Sequence, residues 1–293
     1  MMNGWLCLDK PAGISSNLAM IKARKILGAR TGYVGTLDPF ATGVLPIAVG
    51  EARKFIHFLG TSQQKEYEFT VIFGKTTDTM DRSGKITGES SKIPTTEEVK
   101  HILPDFLGRQ WQMPPIFSAI KISGRRACDR VRAGENIELS PRKIEVFSLF
   151  LEGAQDNIFR FCVVCSPGTY VRSLARDIAE KVGSRGYVDA LKRTKSGFFL
   201  IKQAIPLENL SKIEDTDELV RLLISIESPL DDIPALYLGS DLVKMVQNGL
   251  RISLKSQSSL SWVRIHDDFG GDFRGIGSVS DDGLLKAVRM CVY

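Results

Sequence analysis

The sequence predicts a mixed α+β fold, with a largely antiparallel sheet and flanking helices, followed by a small β-rich domain. Strand-like runs far outnumber the long helices between them, which favours antiparallel pairing of neighbouring strands. The 293 residues contain neither G-x-G-x-x-G nor G-x-x-x-x-G-K-[ST], so the usual sequence signals of a nucleotide-binding, doubly wound sheet are missing. Beyond about residue 232, short strand candidates alternate with Gly and Asp turns, as in a small β module.

The first 200 residues alternate between apolar runs and turn or helix signals. Residues 5–9 predict a short buried strand, and Ser15, Ser16 or Asn17 can cap a helix that extends to Leu27. Further strands are predicted at residues 44–49, 67–73, 145–151 and 158–166, and a further helix at residues 171–182.

A boundary between two domains is predicted near residue 232. The acidic stretch 208–227 is typical of a helix and linker, and Pro229 and Pro234 interrupt the chain after it. We therefore expect a large domain at residues 1–231 and a small one at 232–293, with strands near 261–265, 275–279 and 284–290.

The positive charge is concentrated in the first part of the chain. The whole chain has a formal net charge of +5, made up of +10 over residues 1–204, −5 over 205–231 and zero over 232–293. Residues 114–143 carry seven basic side chains against three acidic ones. Such a stretch can bind nucleic-acid phosphates, although a solvated helix face explains the charge equally well.

Cysteine and histidine usage argues against a metal centre and a disulfide framework. The five cysteines are scattered, and the spacing of Cys162 and Cys165 within an apolar strand-like run points their side chains to opposite faces. None of the three histidines lies near this pair in the sequence. No apolar run reaches the ~20 residues of a membrane helix and no export signal opens the chain, so we expect a cytoplasmic protein.

Asp38 is the most informative candidate for chemistry. It lies between the turn-forming residues Gly35 and Pro39, ahead of an apolar strand, and loops braced by a rigid scaffold often carry reactive groups. Spacing alone favours a plainer interpretation, in which the Asp38 carboxylate stabilises its own turn through backbone hydrogen bonds.

Several sequence blocks, taken in order, favour the catalytic interpretation of Asp38. GTLDPFATG at residues 35–43 resembles the G-x-L-D-P-x-A-T-G signature of the TruB family of tRNA pseudouridine-55 synthases. Blocks similar to those of the family also occur in the right order elsewhere, at residues 5–17 (WLCLDKPAGISSN), 65–67 (KEY), 77–81 (TDTMD), 114–121 (PPIFSAIK) and 168–172 (GTYVR). The resemblance thus extends from residue 4 to about residue 199, and it implies the pseudouridine synthase fold.

The resemblance also implies the reaction and its residues. In that family an aspartate attacks a uridine flipped out of the T-arm loop of tRNA, the glycosidic bond breaks, and the uracil is rejoined through C5. By this resemblance Asp38 is the nucleophile, Arg172 holds it ionised and aimed, and Tyr67 stacks on the flipped base. A carboxylate nucleophile needs no cofactor, and none is expected.

RNA contacts are implied over a wider set of residues. The basic stretch 114–143 is similar to the insertion that closes over the RNA loop, and Tyr33 stands where the family usually has a histidine. Residues 270–289 resemble a PUA-type RNA-binding module, which would contact the acceptor arm of tRNA. A monomer is expected. The candidate RNA contacts are Lys10, Tyr33, Asp81, Lys121, Arg125, Arg126, Arg130, Arg132, Tyr170, Lys192 and Arg193.

Two other functions stay open on the sequence. An RNA chaperone would open the tRNA elbow without chemistry, and it would not need Asp38. A related synthase would act on ribosomal RNA or on targets chosen by a guide RNA, and mapping of the modified uridines would distinguish it.

Overall fold

The strands form a large sheet in the first two thirds of the chain and a smaller one at the end. A computed structural model describes residues 2–59, 64–118, 120–122, 124–135, 137–254, 259–268 and 271–292. In chain order the strands are β1 (Gly4–Lys10), β2 (Thr31–Tyr33), β3 (Thr42–Val49), β4 (Lys65–Phe73), β5 (Lys75–Thr77), β6 (Ile86–Glu89), β7 (Gly108–Gln112), β8 (Lys121–Ile122), β9 (Arg125–Arg126), β10 (Arg142–Gln155), β11 (Ile158–Cys165), β12 (Gly186–Ser196), β13 (Phe199–Leu200), β14 (Ile205–Pro206), β15 (Ala235–Leu238), β16 (Ile252–Ser253), β17 (Leu260–Asp267), β18 (Phe273–Val279) and β19 (Leu284–Met290).

The helices are short and lie between the strands. They are α1 (Ser16–Leu27), α2 (Thr96–Ile102), α3 (Ala127–Arg132), α4 (Val171–Lys181), α5 (Leu207–Leu210), α6 (Thr216–Arg221) and α7 (Ser240–Gln247), with 3₁₀ turns at Gly50–Phe58, Leu103–Phe106, Ile201–Gln203 and Ser228–Leu230. The α1 helix begins after an N-cap at Ser15, whose side chain accepts a hydrogen bond from the backbone N–H of Leu18, as the cap chemistry of this segment predicts.

The large sheet is mixed and largely antiparallel, which confirms the predicted fold class. Its strand order is β14-β1-β3-β12-β4-β11-β10-β7, with β2 on β3 and β13 on β12. Only the β1–β14 and β3–β12 pairs among its described strands are parallel. Sequence reasoning predicted β1, β3, β4, β10 and β11 but missed β12, the strand that joins the two halves of the sheet.

Alternation along β4 places the core and the reactive side chains on the same face. Lys65, Tyr67, Phe69, Val71 and Phe73 are buried while the residues between them are more exposed, as a strand with one covered face requires. The apolar members of this row pack under α4 in the main core. The polar members, Lys65 and Tyr67, lie at the end of the same row.

The C-terminal strands form a separate sheet that packs against the body. Its order is β15-β17-β18-β19-β16. Phe273 and Ile276 of β18 share an apolar cluster with Trp5 of β1 and with Phe55, and Arg264 donates to Glu227 over 2.6 Å. The stretch 208–227, predicted as a helix and linker, contains two short helices, α5 and α6, with irregular segments between and after them.

Within the described ranges, none of the helices has both the length and the apolar character needed to cross a membrane.

Candidate active site

The loop that carries Asp38 connects β2 to β3 and is anchored at several points. The Ser16 hydroxyl both accepts from the Leu37 backbone N–H over 2.8 Å and donates to the Leu37 carbonyl over 3.0 Å. On the far side, the buried Arg193 guanidinium donates to the carbonyls of Gly35 and Thr36 at 3.3 and 3.2 Å. These bonds fix the backbone around the candidate nucleophile.

Arg172 contacts Asp38 through two of its nitrogens. Its Nε lies 2.9 Å from Asp38 Oδ2, and its Nη2 donates to Asp38 Oδ1 over 3.1 Å. The guanidinium is 4% exposed and also donates to the carbonyls of Thr79 and Phe117, both at 2.9 Å. The Arg172 fork is therefore locked in position, and it aims the carboxylate.

The Asp38 carboxylate faces opposing electrostatic influences. Burial raises its pKa above the ordinary value of 3.8, the Arg172 charge opposes that shift, and the nearby Asp81 carboxylate adds to it. Arg172 thus favours the ionised form of Asp38, but desolvation is the larger effect and the net shift of the pKa is upward. The side chain of Asp38 is nevertheless 35% exposed, so a substrate can reach it.

A pocket of about 210 Å³ opens beside Asp38. It is lined by Asp38, Tyr67, Tyr170, Arg172, Leu191 and Arg193 among others. Burial raises the pKa of the Tyr67 phenol, and the nearby Arg193 charge opposes that shift. Asp38, Tyr67 and Arg172, the three predicted catalytic residues, therefore meet around one cavity.

Lys65 also lines this pocket, and sequence reasoning did not assign it a role. It lies two residues before Tyr67 on β4, so the two side chains point to the same face. Its ammonium donates to Ser196 Oγ over 2.7 Å, and burial lowers its pKa to about 7. The sequence did contain a signal for this residue. Lys65 is the first residue of the KEY block, and in a strand the side chains of residues two apart point to the same face, so Lys65 lies beside Tyr67.

A second, wider cleft of about 590 Å³ opens on the other side of Asp38. Asn17 at the start of α1, Tyr33 of β2 and Phe117 are among the residues that line it. Tyr33 is half-buried. Asp38 thus lines both the small pocket and the larger cleft.

The predicted RNA contacts divide into buried and exposed groups. Lys10, Asp81 and Arg193 are buried and bind groups of the protein. The Lys10 ammonium donates to the carbonyls of Pro11 and Ile14, each over 2.8 Å, and its pKa is lowered to about 8 by burial. Lys10 also donates to the Pro39 carbonyl, so we interpret Lys10 and Arg193 as supports of the loop around Asp38, whereas Asp81 binds Thr79, Ser83 and Arg172.

The remaining candidates lie nearer the surface. Lys192 is exposed and Tyr170 is half-buried at the pocket. Arg125 and Arg130 both pair with Glu135, at 2.8 and 2.6 Å. The side chains of Lys121, Arg126 and Arg132 lie outside the part of the molecule that the structure describes.

Among the described residues, no three His, Cys, Asp or Glu side chains converge in a way that could hold a metal ion. Cys165 is buried and Cys162 half-buried on β11, with the opposite orientations that the strand period predicts.

Comparisons with known proteins agree with this geometry. Residues 23–171 match the N-terminal domain of TruB family pseudouridylate synthases, and residues 172–231 and 234–291 match two TruB C-terminal domains. The tRNA pseudouridine synthase B of Zymomonas mobilis is 43% identical over 89% of this chain and 88% of its own length. That of Caulobacter vibrioides is 42% identical over 99% and 93%.

Solved structures share the fold at lower sequence identity. A chain of an H/ACA ribonucleoprotein bound to a substrate RNA containing 2′-deoxyuridine superposes with a TM-score of 0.73 at 18% identity, covering 99% of this chain and 85% of that one. A chain of an archaeal box H/ACA complex gives 0.71 at 19% identity, with the same coverage. The family matches over most of the chain, and the relatives that are more than 40% identical, show that the chain belongs to the TruB family of pseudouridylate synthases.

Proposed function

We propose that this chain converts the uridine at position 55, in the T-arm loop of tRNA, into pseudouridine, with Asp38 as the nucleophile. As a TruB family member it is an isomerase of uridine in tRNA; the position and the residue roles are our proposal. One observation carries it. An accessible carboxylate, Asp38, is held at two points by the buried Arg172 where a small pocket meets a broad cleft.

The reaction requires a nucleophile but no cofactor, and the Asp38 carboxylate can serve as that nucleophile. Isomerisation exchanges the bond from C1′ to N1 for a bond from C1′ to C5, while C5 loses a proton and N1 gains one. No atoms are added and no electrons are transferred overall, so the balance needs no oxidant or co-substrate. A carboxylate that forms a transient covalent bond can divide such an exchange into easier steps.

The pocket supplies a place for the extruded base. Removing a base from its stack costs a few kcal/mol, and contacts with aromatic and polar groups in the receiving site offset this cost. Tyr67 presents its ring beside Asp38, and the Arg193 guanidinium lines the same pocket. We propose that the flipped uracil lies against the Tyr67 ring, with its glycosidic bond facing Asp38.

The wider cleft and the basic segment would hold the RNA loop itself. Residues 114–143 approach the site directly, because the Phe117 carbonyl accepts from Arg172. The exposed Lys192, and the arginines of this segment once released from Glu135, would bind backbone phosphates. The small C-terminal sheet would contact the acceptor arm.

One copy of the chain is sufficient in this proposal, because Asp38, Tyr67, Arg172 and Arg193 all come from the same chain. A tRNA substrate would also place the enzyme in the cytoplasm.

The test is incubation of purified protein with an unmodified tRNA transcript, followed by site-resolved detection of pseudouridine. We expect modification at position 55 alone, its loss in Asp38→Asn, and retention of tRNA binding in that variant. Asp105→Asn is the matched control, since Asp105 is exposed and forms an ion pair with Lys181 at the surface. It should leave the rate unchanged.

Two results would contradict the proposal. Product formation by Asp38→Asn at the wild-type rate would remove Asp38 from the chemistry. Modification of another uridine, with position 55 untouched, would move the activity to a different RNA loop.

A further inference from the structure

We propose that Trp111 and Lys143 form a second nucleotide site, which binds an unpaired base of the substrate loop next to the flipped uridine. This inference rests on the proposed function and adds to it. The site is a groove at the edge of the large sheet, called here the Trp111 groove, with Arg109, Trp111, Lys143, Glu145 and Pro167 among its lining residues.

The Trp111 side chain is exposed to solvent and is not packed in the core. It lies on β7, the last strand of the large sheet, and is 65% exposed, although its neighbour Gln112 is buried. Large aromatic side chains left open to water commonly mark binding sites. Proteins that hold single-stranded RNA stack bases on such rings, and this interaction tolerates any base.

The Lys143 ammonium lies over one face of the Trp111 ring. The two residues face each other in the β7–β10 register, and the Lys143 Nζ lies 5.3 Å from the Trp111 ring centroid. An ammonium at this distance restrains the indole through a cation–π contact. It also places a positive charge where the phosphate of a stacked nucleotide would lie.

The charge of the groove suits RNA. Lys143 has no carboxylate partner among the described residues, and Arg109 is 86% exposed although it pairs with Glu145 at 3.4 Å. Arg142, the residue before Lys143, lies close enough to Tyr170 to lower the pKa of its phenol against the effect of burial. Of these, Arg109 and Lys143 line the groove, and two cations against the Glu145 carboxylate favour a phosphate-bearing ligand over an apolar protein segment.

The groove is rigidly connected to the catalytic pocket. Pro167 lines both. Gln112, the residue after Trp111, accepts from the Tyr170 backbone N–H over 2.8 Å and donates to the Tyr170 carbonyl over 3.1 Å. Because Tyr170 precedes α4 and lies two residues before Arg172, this pair of bonds fixes the indole relative to Asp38. A base on Trp111 would reach the base in the pocket around Pro167, because Trp111 alternates with Gln112 along β7 and so faces away from Tyr170.

The experiment uses tryptophan fluorescence, because a stacked base quenches an indole. The protein is the full chain carrying Asp38→Asn, so that no turnover occurs, and the probe is an unmodified T-arm stem-loop RNA. The other tryptophans are Trp5, which is fully buried, and Trp262, on the C-terminal sheet. We expect quenching on addition of the RNA, and its loss when Trp111→Phe is added.

Affinity provides the second readout. Trp111→Ala should weaken binding of the stem-loop by about tenfold, the order of a lost base stack, while Trp111→Phe should stay near wild type. Phe150→Ala is the matched control, since Phe150 is an exposed aromatic on β10 with 61% of its surface open, and it should bind normally. Replacing one loop nucleotide beside the target with an abasic residue should remove the difference between wild type and Trp111→Ala.

Unchanged affinity of Trp111→Ala, or quenching that survives Trp111→Phe, would overturn the inference. So would a full Trp111→Ala defect with every abasic stem-loop, because the ring would then act without a stacked base. The readouts are independent of catalysis. Absence of pseudouridine from the wild-type reaction would count against the proposed function, and the fluorescence result would still decide the groove.

Discussion

A single guanidinium lies between the carboxylates of Asp38 and Asp81. Arg172 Nε is 2.9 Å from Asp38 Oδ2, and Arg172 Nη1 is 3.4 Å from Asp81 Oδ2. One positive charge thus compensates two negative ones in a largely buried site. The Asp81 charge raises the pKa of Asp38, together with burial, while Arg172 lowers it.

This arrangement predicts the effect of Asp81 on the pH profile. With Asp38 as the proposed nucleophile, its ionised form would react, so activity should be present above the Asp38 pKa and be lost as pH falls through it. Asp81→Asn removes a negative neighbour, lowers the Asp38 pKa, and should move the acid limb of kcat/KM to lower pH. Rates with a stem-loop RNA between about pH 4 and 8 measure it. An acid limb that stays in place or moves upward would contradict the electrostatic argument.

Arg172→Lys should lower kcat far more than it weakens RNA binding. A lysine keeps the charge but cannot reproduce the two-point contact with Asp38 or the bonds to Thr79 and Phe117. Misplacing a reacting group by about 1 Å costs on the order of 10²-fold in rate. Arg185→Lys, a matched exposed change, should have no effect. Single-turnover rates and filter binding would separate the two quantities, and normal turnover by Arg172→Lys would refute the need for the fork.

Local sequence signals predicted the parts of the fold that depend on them. A cap at Ser15, Ser16 or Asn17, the β1 and β3 runs and the α4 helix follow from spacing and cap chemistry. The structure confirms these elements and places the cap at Ser15. The β12 strand was missed because its polar sequence, GYVDALKRTKS, lacks a clear alternation of apolar residues. Its pairing with β3 and β4 is long-range, and periodicity carries no information about such partners.

In the candidate site, too, some features could be predicted from local sequence and others depend on long-range contacts. The resemblance of GTLDPFATG to a known signature singled out Asp38, but the roles of Lys10 and Arg193 depend on burial. Both carry a charge that a sequence interpretation assigns to the surface, where RNA could reach it. In the fold each donates to several backbone carbonyls around the Asp38 loop. These carbonyls come together only when the chain folds, so the sequence alone does not reveal that the two cations have acceptors inside the protein.

Tyr33 should act through its ring and not through its hydroxyl. It lines the wide cleft that opens on Asp38, where an aromatic face can stack on an RNA base. We expect Tyr33→Phe to bind tRNA normally and Tyr33→Ala to bind about tenfold more weakly, the order of one lost stack. Equilibrium binding of a tRNA transcript checks both variants. A defect of equal size in Tyr33→Phe would assign the contribution to the phenol.

Lys65 should make stability depend on pH above neutrality. Its pKa is lowered from 10.5 to about 7 in the folded chain, so between these values the unfolded chain binds a proton that the folded chain does not. The free energy of unfolding therefore gains up to about 1.4 kcal/mol per pH unit from Lys65 as pH rises above 7. Lys65→Met should remove this increment.

Urea unfolding of both proteins at pH 6, 7, 8 and 9 measures the difference. Lys192→Met, at an exposed position on β12, is the control and should keep the wild-type slope. Parallel slopes for wild type and Lys65→Met would mean that Lys65 keeps an ordinary pKa in the fold.

Gly43 should tolerate no side chain, because the backbone of Arg193 crosses directly over it. Gly43 has φ +101 on β3, and a Cβ there would collide with the backbone oxygen and nitrogen of Arg193, its register partner on β12. Gly43→Ala should displace β12, cost about 3 kcal/mol or more of stability, and withdraw the Arg193 bonds to the Asp38 loop. Activity should then fall even at temperatures where the variant is folded.

Gly28→Ala separates strain from collision. Gly28 also has a positive φ, +59, but open space surrounds its missing Cβ at the end of α1, so only the backbone penalty of about 1 kcal/mol applies. Urea unfolding and pseudouridine mapping on both variants give the comparison. Because Gly28 is remote from the Asp38 loop, its variant should keep full activity. Equal losses of stability in the two variants would mean that β12 can move aside, and that Arg193 does not need Gly43 to reach the loop.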